Sequence, residues 1–543
     1  MGNICKDLVT ALVILPITAG NYQRRQNGSR YFDGTISSTV FFLIFLAVII
    51  IFTISKNIDH DQEKRMGVVF LLLTTIMVLG VAACVTLGCI IKKHGLALVV
   101  SKRREGNITK LQIIFLWIFG IVAGLLSISL IGQQSVCEVY NSIIDGGRFF
   151  WNSRLIFNSI TMLFLFTEII FISYFVQYNL RNSTFIRYVL FILLSANVSV
   201  WLHSVIIDNE LFPDNILEKQ FGNSSNILYC IQNGTFGTII NKFKTVSNPC
   251  FLEFCLLSVT MLLEMWSPTT TENSSEEEVQ TYQELNRLSY SVNDRSTLLE
   301  ISVDNEDRSS GARPGRTIQQ LVTFFVTVVI GLGLDVSYLV CVWFPKNAEI
   351  LMMMERYHTI ITIAMIVANF VGFYCLVHYC KPDRANKPLK VSEYVYLSSV
   401  LGILMIHVCE IVSAYYTQGP IAQLNLITYI LGIVQIYLQV VFLLHANRCK
   451  ISNIQTNVHL LDCVLIFLMV INLNIWMSDS FIVEQFSVLK DVEKQILGDI
   501  VMNLYYHVLL PTSIFFRFSS ALELFATFKM YSKNCTRHVL HCR

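Results

Sequence analysis

Twelve apolar runs alternate with polar loops along the chain, each close to the roughly 20 residues a helix needs to cross a hydrocarbon core. They lie at about 37 to 55, 67 to 91, 111 to 133, 155 to 178, 187 to 207, 245 to 266, 318 to 344, 358 to 378, 394 to 416, 421 to 445, 459 to 478 and 498 to 526. Lipid offers no partner for a backbone N–H or C=O, so each run predicts a helix that satisfies its own backbone. The pattern breaks once. From Ser267 to Arg316 the chain turns polar and acidic, with Ser274-Ser275-Glu276-Glu277-Glu278 at its head. Such a segment buries too little apolar surface to fold, and predicts a flexible linker between two six-helix halves.

The halves repeat one another. Asn197-Val-Ser-Val-Trp201 in the fifth run matches Asn472-Leu-Asn-Ile-Trp476 in the eleventh. Thr167-Glu168-Ile-Ile-Phe171 in the fourth matches Leu438-Gln439-Val-Val-Phe442 in the tenth. In the sixth and twelfth, Pro249 and Pro511 are each followed by Phe (Phe254, Phe516) and then by Ser (Ser258, Ser520) at equal spacing. Six crossings per half leave both copies in one orientation, which defines parallel repeats about an axis along the membrane normal. The fold expected is therefore all-α: a polytopic membrane protein of twelve transmembrane helices in two six-helix parallel repeats. Its parts are an N-terminal segment at 1–36, halves at 37–266 and 317–528, the linker at 267–316 and a tail at 529–543.

Composition agrees and charge adds orientation. With 54% hydrophobic and 14% charged residues and a mean hydropathy of +0.56, the chain is too apolar for a water-soluble globule. Of the 40 Lys and Arg, 27 fall in the N-terminal segment, alternate loops and tail, 12 in the other loops, and Arg517 within the last run. The basic side is cytoplasmic, so both termini are expected there. Sequons at Asn223 and Asn233 then face outward and are candidates for glycosylation. Cleavage of the short apolar run from Leu8 to Ala19 as a signal peptide would invert this bias, so it is read as retained. Gly2 and Cys5 resemble an acylation start, but Lys6 stands where the pattern wants Ser or Thr. The 15 cysteines form no C-x-x-C pair, and most sit in apolar runs where a thiol packs as a small hydrophobe. Cys137 and Cys230 are a candidate disulfide between loops. A net charge of +2 without a basic aromatic platform gives no sign of nucleic-acid binding.

Ionisable groups inside the runs carry the chemistry. Glu168, Glu253, Asp335, His407, Glu410, His507 and Arg517 all lie where a charge is costly in lipid, and such residues mark either ion pathways or structural pairs. Carboxyls and imidazoles can bind and release protons; Arg517, a permanent cation, would repel them and is expected to pair with a carboxylate such as Glu253 or Glu523. Asn197 and Asn472 can donate and accept, as helix locks or as links in a water chain. Trp201 and Trp476 lie too deep for interface anchors and are expected to pack or constrict. No Walker loop, voltage-sensor arginine ladder, potassium filter or hydrolase signature occurs, and no metal or cofactor site is expected.

At Pro249-Cys-Phe-Leu-Glu253-Phe254 running to Glu264-Met265-Trp266, at Asn197-x-x-x-Trp201 and at Leu510-Pro511-Thr-Ser-Ile-Phe-Phe-Arg517-Phe518, the sequence resembles the otopetrins, twelve-helix proton-selective channels. The resemblance implies a homodimer whose two halves per chain look like a pseudo-tetramer. It also implies that conduction belongs to the halves or their interface. The family's Gln, Asn or Asp, and Tyr triads fall here on Glu168, Asn197 and Phe254, and on Gln439, Asn472 and Phe516. Glu168 thus replaces a Gln, two Phe replace the tyrosines, Asp208 stands at the usual Glu and Ser519 at a His. The expected function is an acid-activated proton channel of the plasma membrane, with protons and lipids as its partners. Its proton pathway would use Glu168, Asn197, Asp208, Glu253, Gln439, Asn472 and His507. Trp201, Trp476, Phe254, Phe516, Pro249, Pro511 and Arg517 would be structural or gating residues. A proton-coupled carrier of a small solute and a non-conducting scaffold are the alternatives.

Overall fold

The structure, a computed structural model, describes residues 23–26, 29–32, 62–96, 99–103, 108–140, 148–180, 184–207, 235–266, 314–343, 348–382, 391–417, 419–451, 458–481, 498, 502 and 505–541. The chain divides into two compact units: Met1–Thr109 with Ile113–Glu306, and Lys110–Gln112 with Asp307–Arg543. The expected first span, the linker up to residue 313, Asp208, both sequons and Cys230 lie outside the described residues, and the linker's last three residues already belong to a helix.

In the first unit, α1 (Gln62–His94), α2 (Ile108–Tyr140), α3 (Arg148–Phe175), α4 (Thr184–Ile207) and α5 (Thr235–Trp266) are long helices. Each contains a stretch apolar and long enough to cross a membrane, for example Gly67–His94 in α1 and Ser247–Met265 in α5. Small residues let these helices approach. A methyl group on Gly120 of α2 would sit 2.3 Å from Ile169 of α3 and 3.1 Å from Phe254 of α5, so α2 seats its bare backbone against both. Pro249 lies inside α5, and Ser247 Oγ donates to the Phe243 carbonyl 2.8 Å away, within the turn the proline loosens. Cys137, expected in a loop, falls on α2, which continues past its apolar run to Tyr140.

The second unit has α6 (Pro314–Trp343), α7 (Ala348–Tyr379), α8 (Val391–Tyr416), α9 (Pro420–Ala446), α10 (Val458–Phe481) and α11 (Leu510–His541). Prolines open α6 and α9, where a missing N–H costs nothing. The helix α7 starts ten residues before its apolar run, because Glu349 and Arg356 can continue it outside hydrocarbon. Ten candidate spans occur among the described residues, and α11 is not one of them: its Arg517, Glu523 and hydroxyl residues lower its hydropathy. Pro511, expected at mid-span, is instead the second residue of α11 and follows a π turn at Tyr505–Leu509. Thr512 Oγ1 bonds the carbonyls of Val508 and Leu509 at 2.9 and 2.8 Å, and Ser513 Oγ that of Leu510 at 2.9 Å. Hydroxyls of the first turn of α11 thus add hydrogen bonds to carbonyls at its junction with the π turn.

The described residues are helical apart from three short antiparallel ribbons. β1 (Gln23–Gln26) pairs with β2 (Ser29–Phe32). In the first unit β3 (Val100–Arg103), after α1, pairs with β4 (Tyr178–Leu180), after α3. In the second, β5 (Cys380–Pro382), after α7, pairs with β6 (Cys449–Ile451), after α9. Each of the latter two joins segments two helices apart, which must lie on one side of a bilayer if the helices cross in turn. Around the second ribbon, Arg448 pairs with Glu393 at 2.9 Å and Tyr531 Oη donates to the Ala446 carbonyl at 2.9 Å. Burial pushes the Cys380 thiol up to about 11, so it stays protonated and packs as an apolar group.

Many outward-facing side chains are apolar. On α6, Ile318, Leu321, Val322, Phe325, Val329 and Val336 are all more than half exposed, at the spacing of one helical face. In water such a stripe would be an aggregation hazard; in lipid it is the ordinary surface of a spanning helix. The chain is a multi-pass membrane protein.

Candidate functional site

Each unit holds a buried polar cluster where its fourth-run, fifth-run and sixth-run helices, or their counterparts in the second unit, converge. In the first unit Glu168 of α3 and Asn197 of α4 are both completely buried, and Asn197 Nδ2 donates to Glu168 Oε1 at 2.5 Å. The same Nδ2 bonds the Leu193 carbonyl one turn back at 2.9 Å, which fixes the rotamer that aims the amide at α3. Phe254 of α5 is fully buried, and Cys84 of α1 and Cys255 of α5 lie within electrostatic reach of Glu168. Among the described residues, Glu168 Oε2 and Asn197 Oδ1 meet no hydrogen-bond partner. Glu253 is also buried on α5. Trp201, one turn beyond Asn197, is half-buried, and its Nε1 meets no partner among the described residues.

In the second unit the corresponding side chains form a closed network. Gln439 of α9 and Asn472 of α10 are fully buried and exchange two hydrogen bonds, at 3.2 and 3.1 Å. Asn472 Nδ2 also bonds the Leu468 carbonyl at 2.7 Å, as Asn197 does with Leu193. Gln435, one turn before Gln439, donates to Gln439 Oε1 at 2.7 Å. Arg517 Nη1 donates to Gln435 Oε1 at 3.2 Å and to Asn472 Oδ1 at 3.4 Å. Arg517 was expected to pair with a carboxylate. Its hydrogen bonds go to two amide oxygens, and the carboxylate within its electrostatic reach is Asp479 of α10, not Glu523. Glu523, two turns further along α11, accepts from Asn447 at 3.4 Å.

Phe516 is fully buried and stacks on Tyr396 of α8, centroids 5.5 Å apart and planes at 21°. The Tyr396 hydroxyl meets Ser520 Oγ at 3.1 Å. Trp476, 6% exposed, packs on Phe518 with centroids 5.3 Å apart, as a packing tryptophan would. His507 lies in the π turn. Away from this network, Ser478 Oγ donates to Asp335 and Tyr505 Oη to Glu410, and the His407 ring packs against the bare face of Gly432.

Gln435, Tyr396 and Cys255 went unnoticed in the sequence. A signal for Gln435 was available: it precedes Gln439 by four residues on one helical face. Tyr396 carries no such signal, since only the packing of α8 on α11 brings it to Phe516. Among the described residues no group of His, Cys, Asp and Glu converges as a metal site would.

Buried amides, a carboxyl and a guanidinium inside apolar helices define a membrane protein built around polar interiors. The otopetrin family model matches residues 208–518, more than half of the chain, and the chain belongs to the otopetrin family, a family of proton channels rather than of enzymes. No curated protein matches it.

Proposed function

We propose that this otopetrin conducts protons across the plasma membrane and opens to extracellular acid. The observation that carries this is the Glu168–Asn197 pair, a protonatable carboxyl fully buried in a helical unit and hydrogen-bonded, among the described residues, to a neutral amide. Such a group can exchange a proton without leaving the hydrocarbon interior, and a purely structural helix contact would not require a titratable member. Asn197, Gln439 and Asn472 can relay through bound water. Asp208, Glu253 and His507 extend the candidate path, and Trp201, Trp476, Phe254, Phe516, Pro249, Pro511 and Arg517 shape it.

In this reading twelve helices form two parallel six-helix repeats, the termini and the linker are cytoplasmic, and two chains form a homodimer. The paired ribbons β3/β4 and β5/β6, the matched amide-to-carbonyl bonds of Asn197 and Asn472, and the bias of basic residues support it.

The test is a whole-cell recording with protons as the only permeant ion. External acid should evoke an inward current whose reversal potential moves by about 58 mV per pH unit, equivalent to about 1.36 kcal/mol. A current that needs an added solute would replace this reading with a proton-coupled carrier. Surface protein without current would replace it with a scaffold.

A further inference from the structure

A polar stripe runs along one face of α9. Asn425, Thr428, Gly432, Gln435 and Gln439 are all buried, and steps of three and four residues put them on one side of the helix over about 21 Å. Each meets another helix of the second unit. The Asn425 amide, oriented to donate, reaches Glu355 Oε2 of α7 at 3.3 Å. Thr428 Oγ1 meets Thr359 Oγ1 of α7 at 2.6 Å. Gly432 lies under the His407 ring of α8, where a Cβ would come within 2.5 Å of Cδ2 and Nε2. Gln435 accepts from Arg517, and Gln439 is joined to Asn472. The stripe therefore passes in order from a carboxyl, through hydroxyls and an imidazole, to a guanidinium.

Two imidazoles stand near that guanidinium, outside its hydrogen-bond network. His358 of α7 and His407 of α8 are within electrostatic reach of each other, and each is within reach of Arg517. The carboxyls around them are Glu355, one turn from His358, Glu410, one turn from His407 and bonded by Tyr505 of the π turn, and Asp479 of α10, in reach of Arg517. Tyr338 of α6 and Tyr396 of α8 also face Arg517, and Tyr429 of α9 stands edge-on to His407 with centroids 5.5 Å apart.

Imidazole is the side chain whose charge ordinarily changes between pH 5 and 8. Protonating either histidine sets a second cation beside Arg517, and one of the cations must yield. His407 is pinned between Gly432 and Tyr429. Arg517 ends a long side chain whose bonds to Gln435 and Asn472, 3.2 and 3.4 Å, lie at and beyond the long end for N–H···O. In the topology proposed above, α9 enters from the outer face, so external acid meets Glu355 and the imidazoles before Arg517.

We infer that His358 and His407 are the acid sensor of this channel, and that the cation they supply on protonation dislodges Arg517 from Gln435 and Asn472 and opens the second unit. This rests on the proton-channel reading. Wild-type protein at the surface without proton current refutes that reading itself, whereas the variants below bear on the sensor alone.

The experiment measures the external pH of half-maximal proton current, at matched surface level, for wild type, His358→Gln, His407→Gln and the double variant. Glutamine stays polar but cannot become charged. Each single variant should shift half-activation toward acid by about half a pH unit or more, and the double by about one unit or more, because the carboxyls left to respond ordinarily titrate near pH 4. A packing role would change current size or surface level and leave that pH where it is. His407→Lys, whose ammonium is ordinarily charged at neutral pH, should conduct there without added acid. An unchanged half-activation pH in either surface-expressed single variant overturns the inference, and so does a surface-expressed His407→Lys that stays shut at neutral pH with wild-type pH dependence. The two glutamine substitutions lie on different helices, so the test stands if one of them fails to reach the surface.

Discussion

Replacing Asn472 by Leu probes the network that closes the second unit. Asn472 gives its amide protons to Gln439 Oε1 and the Leu468 carbonyl, and accepts from Gln439 Nε2 and Arg517 Nη1. Two of these losses are mild, since Gln439 Oε1 keeps Gln435 Nε2 and the Leu468 carbonyl keeps its helical partner. Gln439 Nε2 loses Asn472 Oδ1 and is left with the Tyr396 hydroxyl, so its share falls toward the lower end of the about 1–3 kcal/mol that a stranded buried donor costs. Arg517 keeps Gln435 but loses its second amide oxygen, and bonds to a charged group are worth about 1.5–3 kcal/mol. In membrane proteins side-chain bonds average nearer 0.6 kcal/mol, because the unfolded chain in lipid also finds partners. A net loss of about 1–4 kcal/mol follows, between those bounds. Asn472→Asp separates the acceptor from the donor: it keeps an oxygen for Gln439 and Arg517, and should be clearly more stable than Asn472→Leu. The assay is the midpoint of thermal unfolding of the detergent-solubilised dimer or monomer, followed by size-exclusion fluorescence. An Asn472→Leu midpoint equal to wild type, or one above that of Asn472→Asp, would refute the network as drawn.

Two further outcomes are expected. Glu168→Gln keeps the shape and the bond to Asn197 but removes the proton site, so it should change the size or pH dependence of the current, while Gln439→Glu adds a second titratable site. If Glu168→Gln leaves both current and surface level unchanged, the proton role of Glu168 is withdrawn. The loop carrying Asn223 and Asn233 should face outward, so glycosidase should shift the mobility of the wild type but not of the Asn223→Gln/Asn233→Gln variant. Labelling of residues 267–316 from outside intact cells would contradict that topology.

Much was legible from the sequence because lipid imposes a single rule. Every backbone group must be satisfied within its own helix, so apolar length alone located the ten candidate spans that the described residues contain, from Gly67–His94 to His459–Phe481. The recurrence of Glu168 and Asn197 as Gln439 and Asn472 was legible in the two halves, and the otopetrin resemblance grouped each with its partner, while their hydrogen bonds came from the structure. The tertiary structure decided the rest. Pro511 opens α11 behind a π turn instead of kinking a span, and Thr512 and Ser513 hydroxyls bond carbonyls at that junction. Arg517 binds the Gln435 and Asn472 oxygens because three helices bring their polar faces to one depth, a distance that residue spacing along one chain does not encode. Six residues after each proline, one unit holds the thiol of Cys255 and the other the guanidinium of Arg517 among amides. Sequence supplies those residues, but which polar atoms end satisfied and which end buried without a partner depends on how the helices pack.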